Sequence, residues 1–199
     1  MVNDLNQCAD NQYTHSEPFR TVVLGNFDGL HIGHQQLIQL GKSIADANHE
    51  ELAVFTFPPQ IQELRNPEFR YLLTSEQKIQ KFREMQVQHI ETIPFDMQIA
   101  RLSPEAFVRQ ILVERMHAKH IVVGFNYTFG YQGAGNSDLL TELCAQHDIA
   151  VTVMQPCYIE EELVSSSNIR HYLQEGNIEK ANELLGYVFT LRGEVVYGN

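Results

Sequence analysis

"LGNFDGLHIGH", residues 24–34, follows the run Thr21, Val22, Val23 and sets three glycines, an aspartate and two histidines within eleven positions. A β-branched run that ends in glycine and passes into "GHQQLIQLGKSIADAN" reads as a strand, a tight turn and a helix whose apolar face is Leu37, Ile38, Leu40, Ile44 and Ala45. Four more short apolar runs follow: "ELAVFTF" (51–57), "HIETIPF" (89–95), "HIVVGF" (120–125) and "IAVTVMQ" (149–155). Helical patterns separate them. "LTSEQKIQKFREM" offers Thr74 or Ser75 as a cap with Gln77 near the capping-box position, and "SPEAFVRQILVERM" offers Ser103 as cap with Pro104 in the first helical place. "SDLLTELCAQHD" is a fourth helix, and "SSNIRHYLQEG" and "IEKANELLG" follow the last strand. Strands that alternate with helices predict an α/β fold, a parallel five-stranded sheet with right-handed crossovers and helices on both faces. Ligands of such sheets sit outside the carboxyl ends of the strands at the switch point. The turn at 24–34 is where a ligand is expected.

The 199 residues, 43% of them hydrophobic, suffice for one α/β domain, and 14 Lys and Arg against 25 Asp and Glu give a net charge of −11. That balance disfavours a nucleic-acid or anionic-membrane surface, while a small polyanion held by aimed cations, helix dipoles and a divalent metal stays open. Cys8, Cys144 and Cys157 have no C-x-x-C spacing, so neither a zinc site nor a disulfide framework is indicated and a cytoplasmic, reduced protein is expected. The acidic start "MVNDLNQCADNQYTHSEP" resembles no signal peptide and predicts a flexible arm over residues 1–18. The oligomeric state is left open, with a monomer favoured.

Three clusters carry candidate chemistry. In the turn, glycines permit unusual backbone angles, helix-start amides favour a phosphate, and His31 and His34, three residues apart, can flank it from one side of the first turn. The alternative is that one histidine caps the turn and the other is an ordinary surface residue. "VVGFNYTFGYQGAG" (122–135) combines Phe125, Tyr127, Phe129 and Tyr131 with four glycines and Asn126, suiting a flat heteroaromatic ring; the alternative is that Phe125 and Phe129 fill the core. "VSSSNIR" (164–170) supplies hydroxyls for helix amides or phosphate oxygens, with Arg170 one turn in for a terminal phosphate; the alternative is a capped helix. "GKS" at 41–43 lacks the earlier P-loop glycine, since position 36 is Gln36, and falls within a helical pattern.

"GNFDGLHIGH", "FTFPPQ", "LLTSEQKIQKF", "LSPEAFVRQIL", "VVGFNYTFGYQGAG", "VSSSNIRHYLQEGNIEKANELLG" and "FTLRGEVVYGN" occur in the same order as in the prokaryotic FAD synthetase family, and from about Thr21 to Asn199 the chain resembles its FMN adenylyltransferase module. The resemblance implies a Rossmann-like doubly wound sheet of the nucleotidyltransferase superfamily and the reaction of FMN with MgATP to give FAD and pyrophosphate. It implies that His31, His34, Asn126, Ser165 and Arg170 carry catalysis, that Gly25, Asn26, Phe27, Asp28, Gly33 and Ser166 bind ATP, and that Phe57, Asn126 and Phe129 meet the flavin. Mg²⁺ is expected on the ATP phosphates, with no dedicated protein ligands. "FTFPPQ" departs from the family's usual Phe-x-Pro-x-Pro spacing. The resemblance divides the chain into a transferase domain over 19–186 and a tail over 187–199 similar to the first strand of a riboflavin kinase barrel, with the rest of that barrel lacking and riboflavin kinase activity not expected. The tail is expected to form an edge strand or to be disordered. Three alternatives remain: a nucleotidyltransferase for another small phosphate acceptor, a non-catalytic flavin-binding or sensing protein, and, less favoured, a redox flavoenzyme.

Overall fold

A computed structural model describes residues 18–57, 69–93, 97–193 and 197. Five parallel strands form one sheet: β1 (Arg20–Leu24), β2 (Glu51–Thr56), β3 (His89–Thr92), β4 (Ala118–Gly124) and β5 (Ala150–Met154), in the spatial order β3-β2-β1-β4-β5. The chain steps outward from β1 to β3 and then returns to the other side of β1, so the switch point lies between β1 and β4. Side chains alternate across the strands: Val22, Leu24, Ala53, Phe55, Ile121 and Val123 enter one core and Val23, Leu52, Val54 and Val122 the other. Both faces are thus covered, which accounts for strands that read as continuous apolar runs.

Helix α1 (Ile32–Asn48) brings Leu37, Ile38 and Ala45, and α2 (Ser75–Glu84) brings Phe82, to the second of these cores. Thr74 and Gln77 complete the expected capping box at α2. Gly41 lies within α1, where an added Cβ would stand 2.5 Å from Val23, and Lys42 pairs with Asp46 one turn on, so "GKS" is helix packing.

The first core is closed by α4 (Pro104–Phe107), which follows the short α3 (Met97–Ala100), and by α5 (Ser137–Ala145). Ser103 caps α4 as expected, but the helix does not continue regularly: Val108–Arg115 widens into a π-helical segment. Its i to i+5 spacing lets Phe107, Ile111, Leu112 and Met116 all stay buried. After β5, a two-stranded ribbon of β6 (Tyr158–Ile159) and β7 (Glu162–Leu163) leads to α6 (Ser166–Gln174) and α7 (Ile178–Leu185). These two helices share a third cluster with Leu72 and Val164, beside the turn that follows β1.

The tail forms no strand among its described residues. Tyr187 and Phe189 instead pack back onto the domain, and the Phe189 amide donates to Asn182 at 2.7 Å. The expected arm over 1–18 falls outside the described residues apart from Pro18, as do Pro58, Pro59 and Gln60 of "FTFPPQ".

Candidate active site

Beyond Leu24 the chain must reverse within a few residues to start α1, and it does so through left-handed backbone at Phe27 (φ 51°), Gly29 (φ 79°) and Leu30 (φ 37°). Such angles at non-glycine residues are costly and persist only where surrounding structure holds them. Here several contacts do. Ser166 Oγ donates to the Asp28 carbonyl at 2.7 Å, Tyr187 Oη to the Gly29 carbonyl at 2.6 Å, and Gln35 Nε2 to the carbonyls of Leu30 and Leu185 at 2.8 Å each. The Asp28 carboxylate accepts from the Leu72 amide at 2.9 Å and is ion-paired with Arg170. Burial raises the Asp28 carboxyl above its ordinary range, and the Leu72 amide and the Arg170 guanidinium partly offset that.

His31 caps α1. Its Nδ1 accepts the His34 amide at 3.3 Å, which places the proton of the neutral ring on Nε2. The His31 and His34 rings stack with centroids 3.7 Å apart and an interplanar angle of 20°. Gly33 makes room for this, because a Cβ there would come within 3.3 Å of the His31 ring. Burial lowers His31 from 6.5 to about 4. His34 is held well below its ordinary value by burial and by the neighbouring His31 and Lys78, and its Nδ1 is enclosed without a hydrogen-bond partner. Both rings are therefore neutral at pH 7. The capping alternative left open by the sequence describes what His31 does locally, yet His34 is no ordinary surface residue.

A cavity of about 970 Å³ opens at the carboxyl ends of the strands, over the switch point. Gly25, Asn26, Asp28, His31, Gly33, His34, Phe57, Asn126, Phe129, Ser165, Ser166 and Arg170 all line it. Among the residues to which the resemblance gives a part in catalysis or binding, Phe27 is the exception. Its ring is fully buried, edge-on to Phe82 and tilted against His34 with centroids 5.3 Å apart in each case, because the left-handed turn directs it into the second core. It backs the histidine instead of lining the cavity.

On the far side, Ser165 caps α6 by accepting the Asn168 amide at 3.2 Å, and its hydroxyl keeps a proton to donate. The Arg170–Asp28 pair engages one guanidinium nitrogen, Nη1, and the guanidinium lies 4.5 Å from the Phe69 ring centroid. The glycine-rich loop after β4 is tightly closed: Phe129 and Gly135 exchange backbone hydrogen bonds of 3.1 and 2.9 Å. Phe129 is buried against Phe107 and Tyr127, whereas Phe125, which could have filled the core, is 43% exposed. Asn126 is exposed at the end of β4.

Lys78 was not singled out in the sequence. It is 4% exposed, lines the cavity from α2, and donates to the carbonyls of Asn26 at 2.9 Å and Phe57 at 3.4 Å. The available signal was a lysine four residues before the buried Phe82, on the helix face that turns inward. Asp28 is the cavity's one acidic lining residue among the described residues, and no cluster of three His, Cys, Asp or Glu side chains is placed to hold a metal ion there.

A parallel sheet of this order, with a cavity lined by a histidine turn, a serine-capped helix and an aromatic loop, is the Rossmann-like architecture of the nucleotidyltransferase superfamily. The chain belongs to the FAD synthetase family, whose model matches residues 14–168. It is 36% identical over 186 residues to the bifunctional riboflavin kinase/FMN adenylyltransferase of Listeria monocytogenes, covering 90% of this chain and 58% of that protein. It is 32% identical over 179 residues to a FAD synthetase of the same organism, covering 89% and 72%. A solved structure described as a macrolide-efflux protein from Streptococcus pneumoniae superposes with a TM-score of 0.80 at 29% identity, covering 92% of this chain and 60% of that one. The chain spans less than three fifths of the length of the bifunctional relatives it matches.

Proposed function

We propose that this protein is an FMN adenylyltransferase that transfers the adenylyl group of MgATP to the FMN phosphate, giving FAD and pyrophosphate. The observation that carries this reading is one cavity at the switch point, lined together by the His31/His34 turn, the Ser165–Arg170 segment and the Asn126–Phe129 loop. An FMN phosphate oxygen attacks the α-phosphorus of ATP, the bond from that phosphorus to the bridging oxygen of the β-phosphate breaks, and pyrophosphate carries the electron pair away. The second pKa of a phosphate monoester is about 6, so at pH 7 the nucleophile is already largely ionised and no protein base is needed. Positioning and neutralisation of charge then supply the catalysis.

His31, offering Nε2–H, and His34 donate to the ATP phosphates as charge develops, and the strained turn presents them. Ser165, Ser166 and Arg170 hold the outgoing β- and γ-phosphates. Gly25, Asn26, Asp28 and Gly33 shape the nucleotide side, and Phe57, Asn126 and Phe129 the flavin side. Mg²⁺ fits as a partner of the phosphates and water, because Asp28 is already engaged by Arg170 and the Leu72 amide. When bound, it adds charge neutralisation to the polyphosphate.

Cys144, buried, and Cys157, half-buried, are free thiols, which suits a reducing cytoplasm. No described helix is long and apolar enough to cross a membrane. The efflux description belongs to the solved relative, and function follows the residues of a site and not likeness of fold.

The test mixes purified protein, MgATP and FMN and looks for FAD and pyrophosphate chromatographically, with riboflavin in a parallel tube. FAD from FMN, and none from riboflavin, is expected. FMN bound without release of pyrophosphate would point to a flavin-binding protein, and pyrophosphate released only with another phosphate acceptor to a different transferase; either overturns the proposal.

A further inference from the structure

The charged residues lining the cavity are few. Among the described residues of the lining, Arg170 is matched by Asp28 and the two stacked histidines are neutral at pH 7, so the remaining charge is the ammonium of Lys78. A lysine is almost never fully buried without a reason, because removing its charge from water is costly. This one reaches between two strand ends. Asn26 follows β1 by two residues and Phe57 follows β2 directly, and the ammonium donates to both of their carbonyls while Thr56 Oγ1 donates to the Asn26 carbonyl from β2 at 3.3 Å. Asn26 is the residue from which the left-handed turn departs toward His31. The titratable groups facing the ammonium are Asp28 in the turn and His34 on α1.

We propose that Lys78 is a positioning residue for nucleotide binding and adenylyl transfer: it ties the Asn26 and Phe57 carbonyls into one mouth and gives the phosphate end of the cavity its net positive charge. The transfer part rests on the function proposed above; the nucleotide-binding part does not. Hydrogen bonds from a charged donor contribute about 1.5–3 kcal/mol each, equivalent to roughly 10- to 100-fold in an equilibrium. The ammonium itself need not touch substrate.

The experiment compares wild type, Lys78→Met and Lys78→Arg. Calorimetry measures the Kd for MgATP alone, and kcat/KM for MgATP is followed from pH 6 to 10 at saturating FMN. Lys78→Met is expected to weaken MgATP binding and to lower kcat/KM by roughly 10- to 100-fold at pH 7. Burial lowers the Lys78 amine to about 8, so wild-type kcat/KM should fall above that pH, Lys78→Met should lack this limb, and Lys78→Arg should move it upward. A purely structural lysine would leave the limb in place. Wild-type affinity in Lys78→Met, or an unmoved alkaline limb in either folded variant, overturns the inference. Wild type that binds MgATP more tightly than Lys78→Met but makes no FAD refutes the proposed reaction while upholding the role of Lys78 in nucleotide binding.

Discussion

His31 has two tasks in this structure, and one pair of substitutions separates them. Its Nδ1 caps α1 by accepting the His34 amide, and its Nε2–H is the donor proposed for the ATP phosphates. In asparagine, Oδ1 sits at the same branch of Cγ as Nδ1 and is among the best cap acceptors, but nothing replaces Nε2. His31→Asn should therefore keep the cap and lose the donor, and His31→Ala should lose both. Both variants forfeit the stack on His34, so their difference isolates the cap. A lost cap costs about 1 kcal/mol, or about 2 where the orphaned His34 amide stays buried. For a domain of this size each kcal/mol lowers Tm by about 2–4 °C, which puts His31→Ala roughly 2–8 °C below His31→Asn in a thermal melt. Loss of the donor removes about 2.7 kcal/mol of transition-state stabilisation, on the order of 10² in the rate of FAD formation, and does so equally in both variants. If His31→Asn recovers activity along with Tm, the imidazole only caps a helix and its proposed part in the transfer is wrong.

The other expected outcomes concern the same turn. Because His31 binds fewer protons folded than unfolded between its lowered value of about 4 and its ordinary 6.5, its stabilising contribution is full above pH 6.5 and is lost as pH falls toward 4. Unfolding free energies from urea titrations should drop by about 2–3 kcal/mol from pH 7 to 4.5, with His34 acting in the same direction; a stability that rises on acidification contradicts the burial of these rings. Gly29→Ala places a Cβ 2.7 Å from Leu72 Cδ1 at a φ of 79°, so it should cost about 2–4 kcal/mol by chemical denaturation, and a loss below about 1 kcal/mol would mean the turn is not held as described. Tyr187→Phe removes the donor to the Gly29 carbonyl and should raise KM for MgATP several-fold, by the ~1 kcal/mol of one hydrogen bond, with kcat little changed; an unaltered KM would show that the tail does not steady the turn.

The sequence by itself determined the sheet and its helices, because burial on both faces forces apolar β-branched runs and capping chemistry is local. Thr74 with Gln77 and Ser103 with Pro104 are legible without tertiary information, and all five strands lie within two residues of where their runs begin. It also singled out twelve residues that line one cavity, through glycine, histidine and serine spacings that any phosphate-binding turn or capped helix needs. What it could not decide depends on partners far along the chain. Whether Phe27 faces the ligand or the core follows from a left-handed φ. Arg170 meets Asp28 across 142 residues and Tyr187 meets Gly29 across 158. Lys78 is marked in the sequence only by its place four residues before Phe82, and its ammonium falls between the ends of β1 and β2 only when α2 is packed on the sheet. Local sequence sets which conformations are cheap; the burial of a charge and the choice of its partner are set when separate elements meet and exclude water.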